Sequence, residues 1–130
     1  MVIAAGGGGV PVVNTAEGDL EGIDAVVDKD RSAAMLAESL GYDTLVIVTA
    51  TDAVYVDFGK PTQRRLDNVD TDTLVKYHGE GQFPSGSMGP KIEAAIRFLQ
   101  REGKEVIIAS PDNLVDALAG TSGTRITPAG

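Results

Sequence analysis

The chain has no cysteine, a single histidine, and only 11 Lys and Arg against 19 Asp and Glu. Without cysteine, a disulfide framework and a thiolate metal site are excluded, and the cytoplasm becomes the default compartment. The shortage of basic residues leaves a formal charge of -8. That argues against nucleic acid, whose phosphates are held by clustered Lys and Arg. No apolar run approaches the length that spans a bilayer, and no basic stretch followed by an apolar one marks a leader at Met1. With 130 residues and 42% hydrophobic content, one soluble domain around one core is expected.

Standard phosphate motifs are missing as well. Gly6, Gly8 and Pro11 fail the third position of the dinucleotide fingerprint. Gly81 and Gly86 have P-loop spacing but are followed by Ser87 in place of lysine. Asp67, Asp70 and Asp72 lack the glycine and distal glutamate of an EF-hand, so they read as a solvated face and no metal site is expected. His78, at the loop-side end of a predicted helix, reads as a solvated residue rather than a base or ligand.

What is present alternates strand with helix. Val2-Ile3-Ala4-Ala5 predicts a short buried strand whose start at the initiator hints at a chain cut from something longer. Glu17-Gly18-Asp19 predicts a hairpin turn. Asp30 opens a predicted helix ending at Gly41, with Ala33, Ala34, Leu36, Ala37 and Leu40 at helical spacing. Leu45 to Val48 and Val106 to Ala109 are unbroken apolar runs and predict central strands covered on both faces. Val54 to Phe58 reads as extended, Asp70 as a helix cap, and Gly79 to Pro90 as loop. Ile92 to Arg101 predicts a helix stopped by Gly103, and Ser110-Pro111 starts another, Asp112 to Leu118. Thr124 to Ile126 adds a last strand and the tail beyond is expected to fray. The pattern predicts an α/β three-layer sandwich, with a mostly parallel central sheet and helices on both faces.

Three segments carry charge or close backbone approach. Gly86-Ser87-Met88-Gly89-Pro90-Lys91 sets a lysine on the first turn of an amphipathic helix behind a small-residue loop, a place to hold a phosphate. Gly6, Gly7, Gly8 and Gly9 follow a predicted strand and either form a flexible turn or aim N–H groups at an anion. Asp28-Lys29-Asp30 stands at a loop-to-helix junction. There Asp30 either caps the helix or accepts hydrogen bonds from two lysines, with Lys29 facing the phosphates, and so aims both at a transferring phosphoryl group.

Those segments, together with Thr44 to Tyr55, closely resemble the C-terminal part of carbamate kinase, a member of the amino acid kinase family, over nearly the whole chain. The resemblance implies a kinase that moves a phosphoryl group between ATP and carbamate, giving ADP and carbamoyl phosphate, with Mg²⁺ carried on the nucleotide. It implies Asp30 as organiser and Lys91 as the contact to the transferred group. Thr49, Thr51, Asp52 and Tyr55 would line the adenine and ribose pocket, with Ser87, Met88 and Pro90 in the opposing Gly-Ser-Met-x-Pro-Lys motif. Ala50 and Ala53 depart from the residues many relatives carry there. The N-terminal half of the family, with its Gly-Gly-Asn loop, carbamate-binding segment and a further lysine, has no counterpart here. Residues 1–130 are thus expected to form one nucleotide-binding domain that is inactive alone and associates as a homodimer or with a complementing half. A nucleotide-binding module without turnover is the alternative.

Overall fold

The computed structural model describes residues 1–4, 6, 7 and 9–130. Among the described residues eight strands and four α-helices follow in order: β1 (Val12–Asn14), β2 (Leu20–Gly22), α1 (Lys29–Ser39), β3 (Thr44–Val48), β4 (Val54–Val56), β5 (Arg64–Leu66), β6 (Asn68–Asp70), α2 (Thr71–Gly79), α3 (Met88–Arg101), β7 (Glu105–Ala109), α4 (Leu114–Leu118) and β8 (Thr124–Thr127). A four-stranded sheet has the order β3-β7-β8-β6. β3 with β7 and β6 with β8 are parallel, and β7 with β8 is antiparallel.

Alternation along the strands divides the sheet into two faces. Leu45, Ile47, Val106, Ile108 and Ile126 join Ala34, Ala37, Leu74, Ile92, Ala95, Phe98 and Leu99 in the main core, on the face covered by α1, α2 and α3. Ile107 and Ala109 point the other way, to Ala117 of α4, with Val46 packed alongside. The layered α/β arrangement with helices on both faces is therefore as the sequence predicts, and two of the three pairings are parallel.

Some expectations fail for physical reasons. β3 is an edge strand, not a central one: among the described residues it pairs only with β7, and Val48 is 46% exposed. A β-branched run reports cover, and here the cover reaches Leu45 and Ile47 while the opposite face is only partly closed by Val46. Val2, Ile3 and Ala4 form no strand and lie exposed, because no ladder partner receives them; Ala5 lies outside the described residues. The segment Arg64–Leu66 pairs antiparallel with β4. The tail is pinned where the Ala129 N–H donates to Thr71 Oγ1 at 2.8 Å.

Local signals explain the helix ends. Gly41 adopts φ 67° just past α1, and the Tyr42 N–H returns to the Ala37 carbonyl, closing the helix as the sequence implies. α3 begins at Met88, four residues before the predicted start, since Gly89 and Pro90 fit a first turn where N–H groups are dispensable. Gly103 serves packing: a Cβ there would sit 2.3 Å from the Phe98 ring.

Candidate functional site

Helices α1 and α3 each feed directly into a parallel strand, β3 and β7, so both run antiparallel to their strands and start at the strands' carboxyl ends. That edge is where open α/β sheets hold ligands. The two first turns meet there. Lys91 Nζ donates to Asp30 Oδ2 at 2.8 Å, and each side chain is only 10% exposed. Lys29, half exposed, brings a second ammonium to 3.9 Å from the same oxygen, an ion-pair distance but no hydrogen bond.

Asp30 is available for this because a neighbour does the capping. Asp28 is the N-cap, its Oδ1 accepting from the Arg31 N–H at 2.8 Å, so the reading of Asp30 as a cap is corrected. At the start of α3, Ser87 makes no side-chain capping bond. The Gly89 N–H is taken by the Pro84 carbonyl at 2.8 Å and Pro90 has none, which leaves the Met88 N–H as the first-turn donor among the described residues. Charge at this corner therefore comes from side chains more than from backbone. Ser87 is exposed, Met88 and Pro90 are half-buried, and Met88 packs against the main core.

The strand-edge loops are tied into one layer. The Thr49 N–H donates to the Ala109 carbonyl at 2.9 Å, prolonging the β3–β7 ladder. Asn113 Nδ2 donates to the Asp52 carbonyl at 2.9 Å and to Ser122 Oγ at 2.7 Å. The Asp52 carboxylate accepts from the Tyr55 hydroxyl at 2.9 Å and from Arg65 Nη1 at 3.1 Å. Burial, and then that bond to Asp52, push the Tyr55 phenol above its ordinary value. Asp52 is thus engaged by protein, whereas the buried hydroxyl of Thr51 has no partner among the described residues. Gly6, Gly7 and Gly9 are exposed; an added Cβ would meet nothing within 4 Å at Gly6 and Gly7 and would touch the Val27 side chain at 3.5 Å at Gly9. Gly8 lies outside the described residues. A cleft of about 330 Å³, lined by Glu38, Tyr42, Asp43, Phe98 and Arg101 among others, opens at the opposite end of α1 and α3. Among the described residues no cluster of three His, Asp or Glu is arranged to hold a metal, and no helix is long and apolar enough to cross a membrane.

A family model described as the amino acid kinase family matches residues 2–110. The chain belongs to that family. It is similar to a carbamate kinase-like protein, YahI, of Escherichia coli K12, 53% identical over 126 residues that cover 97% of this chain and 40% of that protein. The carbamate kinase of Thermoplasma acidophilum is 51% identical, with 97% of this chain and 41% of that protein covered. Among solved structures, carbamate kinase from Giardia lamblia bound to AMP-PNP superposes with a TM-score of 0.88 at 39% identity, over 94% of this chain and 38% of that one. The chain spans about 40% of the length of the curated relatives it matches.

Within this amino acid kinase chain, two residues beside the buried pair, Arg31 and Glu93, escaped the sequence reading, and a third, His78, was read as solvated. Arg31 hydrogen-bonds Glu93, and His78 Nε2 lies 3.6 Å from the other Glu93 oxygen. His78 is therefore no solvated surface histidine: its Nδ1 is buried and its ring stacks on Phe83, with centroids 6.4 Å apart and planes at 16°. The signal was the placement of Arg31 and Glu93 next to Asp30 and Lys91. Neither charge carries a motif, so only the meeting of the helices reveals it.

Proposed function

We propose that this chain is the nucleotide-binding part of a carbamate kinase, and that Lys91 and Lys29 hold the terminal phosphate of ATP while Asp30 aims them. The observation that carries the reading is the buried Asp30–Lys91 pair, set where two helix starts meet at the carboxyl edge of β3 and β7. A carbamate oxygen, already anionic, attacks the γ-phosphorus. The bond from that phosphorus to the β–γ bridging oxygen breaks, ADP leaves, and carbamoyl phosphate forms with no proton transferred. Such a step needs alignment and charge neutralisation, which placed lysines supply. Mg²⁺, when bound to the nucleotide phosphates, adds to that neutralisation.

The relatives named carbamate kinases, and the solved one bound to AMP-PNP, support the substrate class. In this reading Thr49, Thr51 and Tyr55 border the base and ribose, Met88 presses from the other side, and Asp52 acts through the Tyr55 and Arg65 it holds. The glycine run is proposed as a phosphate or substrate loop. Met35, Leu36, Leu40, Tyr42 and Val48 are exposed large apolar residues along α1 and β3. Such a surface fits a second copy or a complementing segment. ATP supply places the reaction in the cytoplasm.

Calorimetric titration with ATP and ADP in the presence of Mg²⁺ tests the reading. The chain should bind both, and Lys91→Ala should weaken ATP more than ADP. Nucleotide binding without carbamoyl phosphate synthesis, even with a carbamate-binding segment added, would favour a regulatory module. No binding of either nucleotide overturns the proposal.

A further inference from the structure

Asp30–Lys91 is one of two side-chain links between α1 and α3 near their starts; the other is Arg31–Glu93, with Glu93 in the second turn of α3. On α3, Lys91 and Glu93 flank Ile92, which is fully buried in the main core. Successive helical residues diverge by about 100°, so Lys91 and Glu93 leave α3 on opposite sides of that buried contact. On α1 their partners, Asp30 and Arg31, are consecutive and so diverge by about 100°. The two pairs therefore grip the helix from both sides of Ile92, and a rotation of α3 that relaxes one strains the other. At the start of α3 Ser87 contributes no side-chain capping bond, so the two pairs are what the side chains supply there. Glu93 is shared further: His78 of α2 faces its second oxygen, and His78 stacks on Phe83 in the loop that leads to Ser87.

We propose that Glu93 is a positioning residue, which by holding Arg31 and His78 fixes the rotation of α3 and thereby the place of the Lys91 ammonium. An exposed ion pair with only a stabilising role would change unfolding slightly and nothing at Lys91. The two roles therefore separate in what Lys91 itself reports. The part of the proposal that concerns ATP rests on the nucleotide reading above; the part that concerns Lys91 does not.

The test is solvent exchange of the Lys91 ammonium protons, read by ¹⁵N-resolved NMR on the whole chain. Glu93→Gln and Arg31→Met are compared with Arg101→Met, which removes a similar exposed pair with Glu38 at the far end of α3. We expect exchange to quicken about fivefold in Glu93→Gln and in Arg31→Met, with no further gain in the double variant and no change in Arg101→Met. Exchange at the wild-type rate in both clamp variants overturns the proposal. So does a wild-type Lys91 ammonium that already exchanges too fast to be seen. ATP and ADP titrations of the same proteins should show ATP affinity falling and ADP affinity holding. If the wild type binds neither nucleotide, the functional reading fails and the ammonium exchange alone decides the clamp.

Discussion

Asp30→Asn removes the carboxylate that meets the Lys91 ammonium at 2.8 Å while hardly changing side-chain volume. Both side chains are nine-tenths buried, so the ammonium left behind has neither its partner nor full hydration. Breaking a buried pair from one side costs about 3–5 kcal/mol. The position of Lys91 pushes toward the upper part of that range, because the first turn of α3 is the positive end of a helix dipole. Lys91→Met should be milder. The orphaned carboxylate sits in the first turn of α1, where the dipole favours an anion, and Lys29 stands 3.9 Å away, free to close on it. We expect about 4 kcal/mol for Asp30→Asn and about 2 kcal/mol for Lys91→Met. The double variant, which leaves neither member of the pair charged, should lose no more than Lys91→Met alone. At about 3–4 °C per kcal/mol for a chain of this size, the single variants melt about 12–16 °C and 6–8 °C lower. Urea unfolding followed by circular dichroism, with calorimetry alongside, measures all three. Equal losses in the two single variants, or a double variant worse than Asp30→Asn, would refute the reasoning.

Thr124, fully buried, accepts from the Val54 N–H at 2.8 Å and donates to the Leu66 carbonyl at 2.5 Å. Thr124→Val should therefore cost about 2–4 kcal/mol by stranding both groups, and a loss under about 1 kcal/mol in equilibrium unfolding contradicts this. The Asp70 carboxyl, which accepts from the Thr73 N–H and then from its hydroxyl, is held below the usual carboxylate range. Its contribution is fully present above the unfolded value near pH 4 and is lost as pH falls through the lower folded one. Asp70→Ala should flatten that acid limb in a pH series of urea midpoints, and an unchanged limb counts against the assignment.

What the sequence made legible was whatever one element decides alone. The Ile92, Ala95, Ile96 and Leu99 stripe reads as a helix because the apolar face is complete within the segment. Asp70 and Gly41 read as helix ends because caps are local. The layered α/β class follows from alternation, and the amino acid kinase resemblance from motifs that lie within short windows. The failures are all relational. Whether β3 is central depends on which strands arrive beside it, and Val46 to Val48 would look the same either way. Asp28 and Asp30 are equally good caps on paper, and only the backbone turn at 28 assigns the task. Asp30 and Lys91 were both singled out, but across a separation of 61 positions nothing in the sequence says that they touch at 2.8 Å. Arg31 and Glu93 were passed over, and His78 was read as solvated, because each, taken singly, is an ordinary surface residue.

The sheet order also carries a consequence for how the chain assembles during synthesis. β8 lies between β7 and β6, yet it is the last strand to be made. Asn68 to Asp70 therefore wait for Arg125 to Thr127 before they can pair, across more than fifty residues already outside the ribosome. Thr124 imposes the same delay on the β4–β5 hairpin, whose Val54 N–H and Leu66 carbonyl meet in its hydroxyl. Long-range pairing of this kind is slow and leaves strand edges open in the interval. A nascent chain stalled before Thr124 would hold β3 and β7 as a two-stranded ribbon under α1 and α3, with β6 and the hairpin unattached. Arrival of Thr124 to Thr127 thus closes the sheet and satisfies the hairpin's two buried backbone groups in one step.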